Sequence, residues 1–126
     1  MKVVTALSVT RVSDLIFSEA FAGTAEETVG ANVLEDDHNA SFLISGEPNR
    51  AIAVDLPYNN TVVMTTGAGG PDGSIAVNSF TSNFATSNIG PSGNIELFVG
   101  ATRAALSPTQ VSGDYSADFT VNVAYQ

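Results

Sequence analysis

The sequence predicts an all-β fold, a sandwich or barrel of short antiparallel strands. Two observations carry this. Side-chain polarity alternates with a period of two along most of the chain, and Gly, Pro, Asn and Asp interrupt it at short intervals. A third concerns size: 126 residues, 44% of them hydrophobic, suffice for one core in a single domain from end to end.

The elements follow in order. At the N-terminus Val3, Thr5, Leu7 and Val9 alternate with Val4, Ala6, Ser8 and Thr10, and residues 12–17 make a second short run. Residues 24–33 read two ways. Thr24-Ala25-Glu26-Glu27 has the form of a helix capping box, with Val29 and Val33 four apart. Ala25, Glu27, Val29, Ala31 and Val33 also alternate as a strand, and Gly30 weakens a helix, so the reading leans to strand. Phe42 and Ile44 mark the next strand. Ile52, Val54 and Leu56 mark another, ended by Pro57. Residues 61–66 and 74–80 are β-rich runs joined by a glycine-rich hairpin connection, Gly67 to Gly73 in sequence. Ile95, Leu97 and Val99 lie between Gly93 and Gly100. The clearest alternation is the last: Tyr115, Ala117, Phe119, Val121, Val123 and Tyr125 against Ser116, Asp118, Thr120, Asn122 and Ala124.

Composition removes several function classes. Thirteen acidic residues against four basic ones give a net charge of −9, a field that repels phosphate backbones and anionic lipid. No apolar stretch is long enough to span a bilayer, so neither nucleic acid nor membrane insertion is expected. Without Cys there is no disulfide, zinc knuckle or thiol nucleophile. Val3 to Leu7 stops at Ser8 without building a signal-peptide core, so the chain is expected to be either cytoplasmic or a mature form whose leader was removed.

No catalytic constellation emerges, and the chain is expected not to be an enzyme and to need no cofactor. His38 is the only histidine and reads as part of a solvated loop rather than as a base or metal ligand. That loop, Glu35, Asp36, Asp37, His38 and Asn39, offers oxygen ligands for calcium, but without the spacing or glycine of an EF-hand. Gly90-Pro91-Ser92-Gly93 falls short of a hydrolase elbow. Glu26 and Glu27 are adjacent, so on a strand they face opposite ways and cannot flank one glycoside. Asp55, Glu96 and Asp118 read as wet-face residues. Gly67-Ala68-Gly69-Gly70 lacks the Lys and helix of a phosphate loop. Tyr58, Phe21 and Phe84 lie near loops, where they could stack on sugars or cover the core.

Three stretches resemble a secreted bacterial family, domain of unknown function 4402. They are the opening strand through Leu15-Ile16-Phe17; Gly46-Glu47-Pro48-Asn49-Arg50 with the run ending at Leu56-Pro57; and Phe80-Thr81-Ser82-Asn83 through Leu97-Phe98-Val99-Gly100-Ala101 to Gly113-Asp114-Tyr115-Ser116 and the final strand. Two positions depart from the family pattern: Ser18, where glycine is usual, and the acidic Glu26-Glu27. The chain ends also look like those of fimbrial subunits assembled by the chaperone–usher route, which have a Tyr beside the C-terminus, as in Tyr125-Gln126.

That resemblance implies an immunoglobulin-like antiparallel β-sandwich completed by donor-strand exchange. The implied function is a structural subunit of an extracellular bacterial fibre, at the cell surface, forming a homo-polymer with help from a periplasmic assembly chaperone. Residues 1–10 would supply the donor strand, through Val3, Thr5, Leu7 and Val9. Phe119, Val121, Val123 and Tyr125 would form the acceptor edge. An ordinary first strand that completes its own domain is the competing reading of residues 2–9. The alternative function is a self-contained secreted adhesive or a glycan- or protein-binding module.

Overall fold

The computed structural model describes residues 1–32, 36–67 and 70–126. Its strands, in chain order, are β1 (Ser8–Ser13), β2 (Glu27–Val29), β3 (Ala40–Ser45), β4 (Ala51–Asp55), β5 (Val62–Thr65), β6 (Ser74–Ser82), β7 (Thr86–Asn88), β8 (Asn94–Arg103) and β9 (Asn122–Tyr125). All pairings are antiparallel. The larger sheet has the order β1-β3-β8-β6-β5, with β2 on the far end of β8, and the smaller has the order β7-β4-β9. The helical content of the described residues is one 3-10 turn, Pro71–Gly73, inside the β5–β6 hairpin.

Both sheets contribute to one core. Ile44, Leu97 and Val99 of the larger sheet are buried in a cluster with Ile52 of the smaller sheet and Ile89 of the β7–β8 connection. Fully burying side chains of this size stabilises the fold by ~1.5–3 kcal/mol each. β8 is the axis of the arrangement. Its Leu97, Val99 and Ala101 point inward, and β3 and β6 pair along its two edges.

β8 also runs straight through Gly100, where the sequence suggests an end. Gly100 is required there because a Cβ would collide with the Val29 carbonyl oxygen, where residues 29–31 cross the strand. A bulge in β6 places Ser79 in the left-handed region, with φ 56°. Two asparagines clamp it. Asn59 Oδ1 accepts from Ser79 N–H at 2.9 Å, and Asn78 Oδ1 accepts from Asn60 N–H at 2.8 Å.

Four expectations change. The two N-terminal runs are one strand, Ser8–Ser13, and residues 1–7 are not in a sheet. Between 24 and 33 only Glu27–Val29 is strand, and Val33 falls outside the described residues. The C-terminal run, the clearest alternation in the sequence, pairs only over Asn122–Tyr125 and through an isolated bridge between Thr65 and Ser116. The short strand Thr86–Asn88 has no apolar signature and was not anticipated.

Candidate functional site: an open groove beside the last strand

A bulge between Arg11 and Ser13 ends β1 and takes the chain off the larger sheet. Residues 14–22 then border an open groove of about 710 Å³, and residues 110–119 also line it. Phe42, Met64 and Ile75 line it from the larger sheet. Leu15, Phe17 and Phe119 line it too, and pack against the buried cluster of Val62, Val77 and Ala101. Phe119 is further fixed by a tilted contact with Phe80, ring centroids 5.1 Å apart. The sequence places these apolar groups by alternation, which turns Phe17 and Phe119 inward while Ser18 and Asp118 face water.

The two borders are strand-like in composition and only sparsely paired. Among the described residues, the main chain of residues 117–121 makes no hydrogen bond to other main chain. The register that sets Asp55 opposite Asn122 would bring Pro57 opposite Thr120. Proline has no N–H to give, and pairing with β4 stops. The outer edge of β9 is open as well, since β9 is the last strand of its sheet. The other border is anchored at its ends, by Ile16 N–H to the His38 carbonyl at 2.8 Å and Gly23 N–H to the Ser107 carbonyl at 2.9 Å. In between, the Phe21 carbonyl accepts from the Thr24 hydroxyl and N–H, and a carboxylate holds the main chain at Ser18. Ser18 N–H donates to both carboxylate oxygens of Glu27, at 3.1 and 3.3 Å.

Glu27 is in turn placed by Arg103, its cross-strand partner. The Arg103 guanidinium is buried, with Nη2 3.7 Å from Glu27 Oε1 and Nη1 donating to the Ala104 carbonyl at 2.9 Å. Its Nε is buried without a hydrogen-bond partner. A buried cation so thinly satisfied depends on its carboxylate, so Glu27 fixes both the border and the charge beneath it. Tyr115 secures the opposite border. Its hydroxyl donates to the Val111 carbonyl four residues upstream at 2.6 Å, and Gln110 Nε2 donates to it at 3.1 Å.

The anticipated acceptor residues fall on one row. Phe119, Val121, Val123 and Tyr125 are all half-buried against the main core, and Phe119 also lines the groove. The anticipated donor residues separate. Leu7 packs into its own core, Val9 sits in β1 opposite Ile44, and Val3 is 81% exposed. Thr5 is gripped by its main chain: Tyr125 Oη donates to its carbonyl at 2.6 Å, and its N–H donates to Glu47 Oε2 at 2.8 Å. Tyr125 Oη also accepts from Glu47 N–H at 2.7 Å, and Lys2 Nζ is 3.2 Å from Glu47 Oε1. The Thr5 N–H and then the Lys2 ammonium hold the Glu47 carboxyl below its ordinary range.

The remaining candidates are not brought together. Asp36 Oδ1 accepts from the N–H groups of His38 and Asn39, and Oδ2 from Asn32 Nδ2, which makes the loop a self-bonded turn. The Asn39 and His38 N–H groups keep the Asp36 carboxyl below its ordinary range. Glu35 lies outside the described residues, and the described ones hold no cluster of three metal-ligating side chains. His38 Nδ1 lies 3.0 Å from the Ile16 carbonyl. Phe84 packs against the core, whereas Phe21 and Tyr58 are exposed on separate loops. Asp55, Glu96 and Asp118 are exposed, as wet-face residues should be. No helix among the described residues is long and apolar enough to cross a membrane.

Sequence reasoning missed Glu27, Arg103, Glu47 and the role of Tyr115. Gly113-Asp114-Tyr115 just ahead of the last apolar run was the available sign for Tyr115. The other three act through pairings that only the fold creates.

Compared with the curated proteins and with the solved structures, the chain finds no match. The model of one family does match it, over residues 7–125, from the strand that precedes the groove to the Tyr that closes the last strand. The chain therefore belongs to the domain of unknown function family DUF4402.

Proposed function

We propose that this protein is a non-enzymatic structural subunit of an extracellular bacterial fibre, built on an immunoglobulin-like sandwich and assembled by strand addition at the groove. The observation that carries the reading is the unpaired main chain of residues 117–121 at the end of an open groove of about 710 Å³ floored by Met64, Ile75 and Phe119. An extended peptide laid there would bond to residues 117–121 and the β9 edge, and its alternate side chains would enter the hollow over Met64, Ile75 and Phe119. Tyr115 supports the sandwich assignment. A tyrosine hydroxyl bonded to main chain a few residues upstream, ahead of a late strand, is similar to the tyrosine corner of immunoglobulin-like domains.

The donor in this reading is the N-terminal strand, with Val3, Thr5, Leu7 and Val9 as its residues, and the partner is another copy. Export to the cell surface and a periplasmic chaperone that shields the groove before assembly belong to the same proposal. The test is light scattering of the purified chain, combined with binding of a labelled peptide of residues 2–10. The expected result is concentration-dependent oligomers and saturable peptide binding, both lost in Phe119→Asp. A chain that stays monomeric at millimolar concentration and ignores the peptide would refute the proposal.

A further inference from the structure

We infer that residues 1–7 are a donor strand held in reserve: Glu47 and Tyr125 grip Thr5 in a seat on its own subunit, and release from that seat sets the rate at which the segment enters the groove of a second copy. The inference rests on the strand-addition reading and adds its control.

The seat has the character of a main-chain clasp. One residue, Thr5, has its N–H taken by Glu47 and its carbonyl by the Tyr125 hydroxyl, which is itself held by Glu47 N–H. Lys2 adds an ion pair to the same carboxylate. Apart from Leu7, the segment buries little beyond this clasp. Met1 and Val3 are strongly exposed, Val4 is exposed, and no residue before Ser8 belongs to a sheet. An apolar segment in water, fastened mainly at one residue and by Leu7, is in a poor resting place by the measure of buried area. A seat of that kind holds a segment without committing it.

Chain length argues for a second copy as the occupant's source. β1 runs from Ser8 to Ser13, and its Ser13 end leads into the groove border. Its six residues span ~20 Å at ~3.3 Å each. The seven residues before it leave from the opposite end and reach at most ~25 Å. To fill its own groove the segment would spend nearly all that length travelling back along β1. A neighbour's segment has no such detour. Charge agrees. Residues 1–10 carry one charged side chain, Lys2, and the groove is lined by Asp14, Glu19, Asp114 and Asp118 against Arg11 and Arg103. A weakly cationic apolar strand suits an acidic rim.

The test compares the full-length wild type with Glu47→Ala and Tyr125→Phe by amide hydrogen exchange at Thr5 and by the rate of oligomer growth in light scattering. Expected is at least a tenfold faster exchange at Thr5 in both variants, with oligomer growth accelerated severalfold. Far-ultraviolet circular dichroism and unchanged exchange in β8 verify that each variant is folded. If Tyr125→Phe fails to fold, Thr5→Pro, which removes the donated N–H, replaces it. Unchanged exchange at Thr5 would overturn the seat. Faster exchange with unaltered growth would overturn its control of assembly while leaving strand addition intact. Failure of every variant and the wild type to grow would overturn both readings together.

Discussion

β8 and the C-terminal segment lie against the same core, each through an alternate row of apolar residues, but β8 is buried continuously from Leu97 to Ala101 and their main chains live in different surroundings. β8 has β3 along one edge and β6 along the other, and it buries Leu97 and Val99 completely. Among the described residues, the main chain of residues 117–121 bonds to no other main chain, and Phe119 and Val121 are only half-buried. Alternation records which side chains meet the core; it does not record whether a neighbouring strand exists. The gap between these two properties is where the proposed strand addition would act. Open edges of this kind invite addition of foreign strands, so their presence in a chain with so few charged residues is a structural commitment.

Substitutions should separate the two regions sharply. The largest effect belongs to β8. Leu97→Ala should cost ~2–5 kcal/mol, and Gly100→Ala should reach or exceed the ~1–3 kcal/mol usual for overpacking, since backbone rather than a side-chain tip stands in the way. Denaturant melts of the two variants measure this. Phe119→Ala, in the half-buried row, should lose roughly half of the ~3–5 kcal/mol of a fully buried Phe and should abolish oligomer growth. Equal losses at Leu97 and Phe119 would break the contrast.

Glu27→Ala comes next. It strips Ser18 of its acceptor and leaves Arg103 without its carboxylate, at a cost of ~1–3 kcal/mol, and amide exchange at residues 15–22 should quicken while β8 is unaffected. Glu27→Gln separates the contributions, since it can still accept from Ser18 but no longer pairs with Arg103. The smallest effect is acid release of the N-terminal segment. The Glu47 carboxyl is held below its ordinary value of 4.5 in the folded chain, so its hold on Thr5 and Lys2 is complete above that pH. The hold is lost as pH falls through the lowered value. Exchange or chemical-shift titration of Thr5 reads it, and a Thr5 signal that is flat to pH 2 would contradict the assignment.

Much of this was legible beforehand, for reasons that can be named. β3, β4, β5, β6 and β8 follow alternations with turn residues at their ends, because both sheets have one dry face. The acceptor row followed from the same rule. β7 escaped because Thr86, Ser87 and Asn88 bury almost nothing and owe their pairing to β4. The extension of β8 through Gly100 escaped because a glycine demanded by a crossing backbone looks, in sequence, like one that ends a strand. The frame shift of β1 escaped because two apolar-rich runs abut there, and the pairing that chooses between them is with β3. The clasp on Thr5 and the Glu27–Arg103 pair could not be read at all, since they join residues brought together by folding alone.

The position of the Thr5 clasp at one end of β1, with the groove beyond the other, gives the unit a direction. In the proposed assembly, copies joined through it meet head to tail by a heterologous contact, which gives an open string where the rotation does not close. Any such string finishes with an unused tail at one extremity and an unfilled slot at the other, two chemically unlike tips that a growth terminator or a tip-specific partner could tell apart.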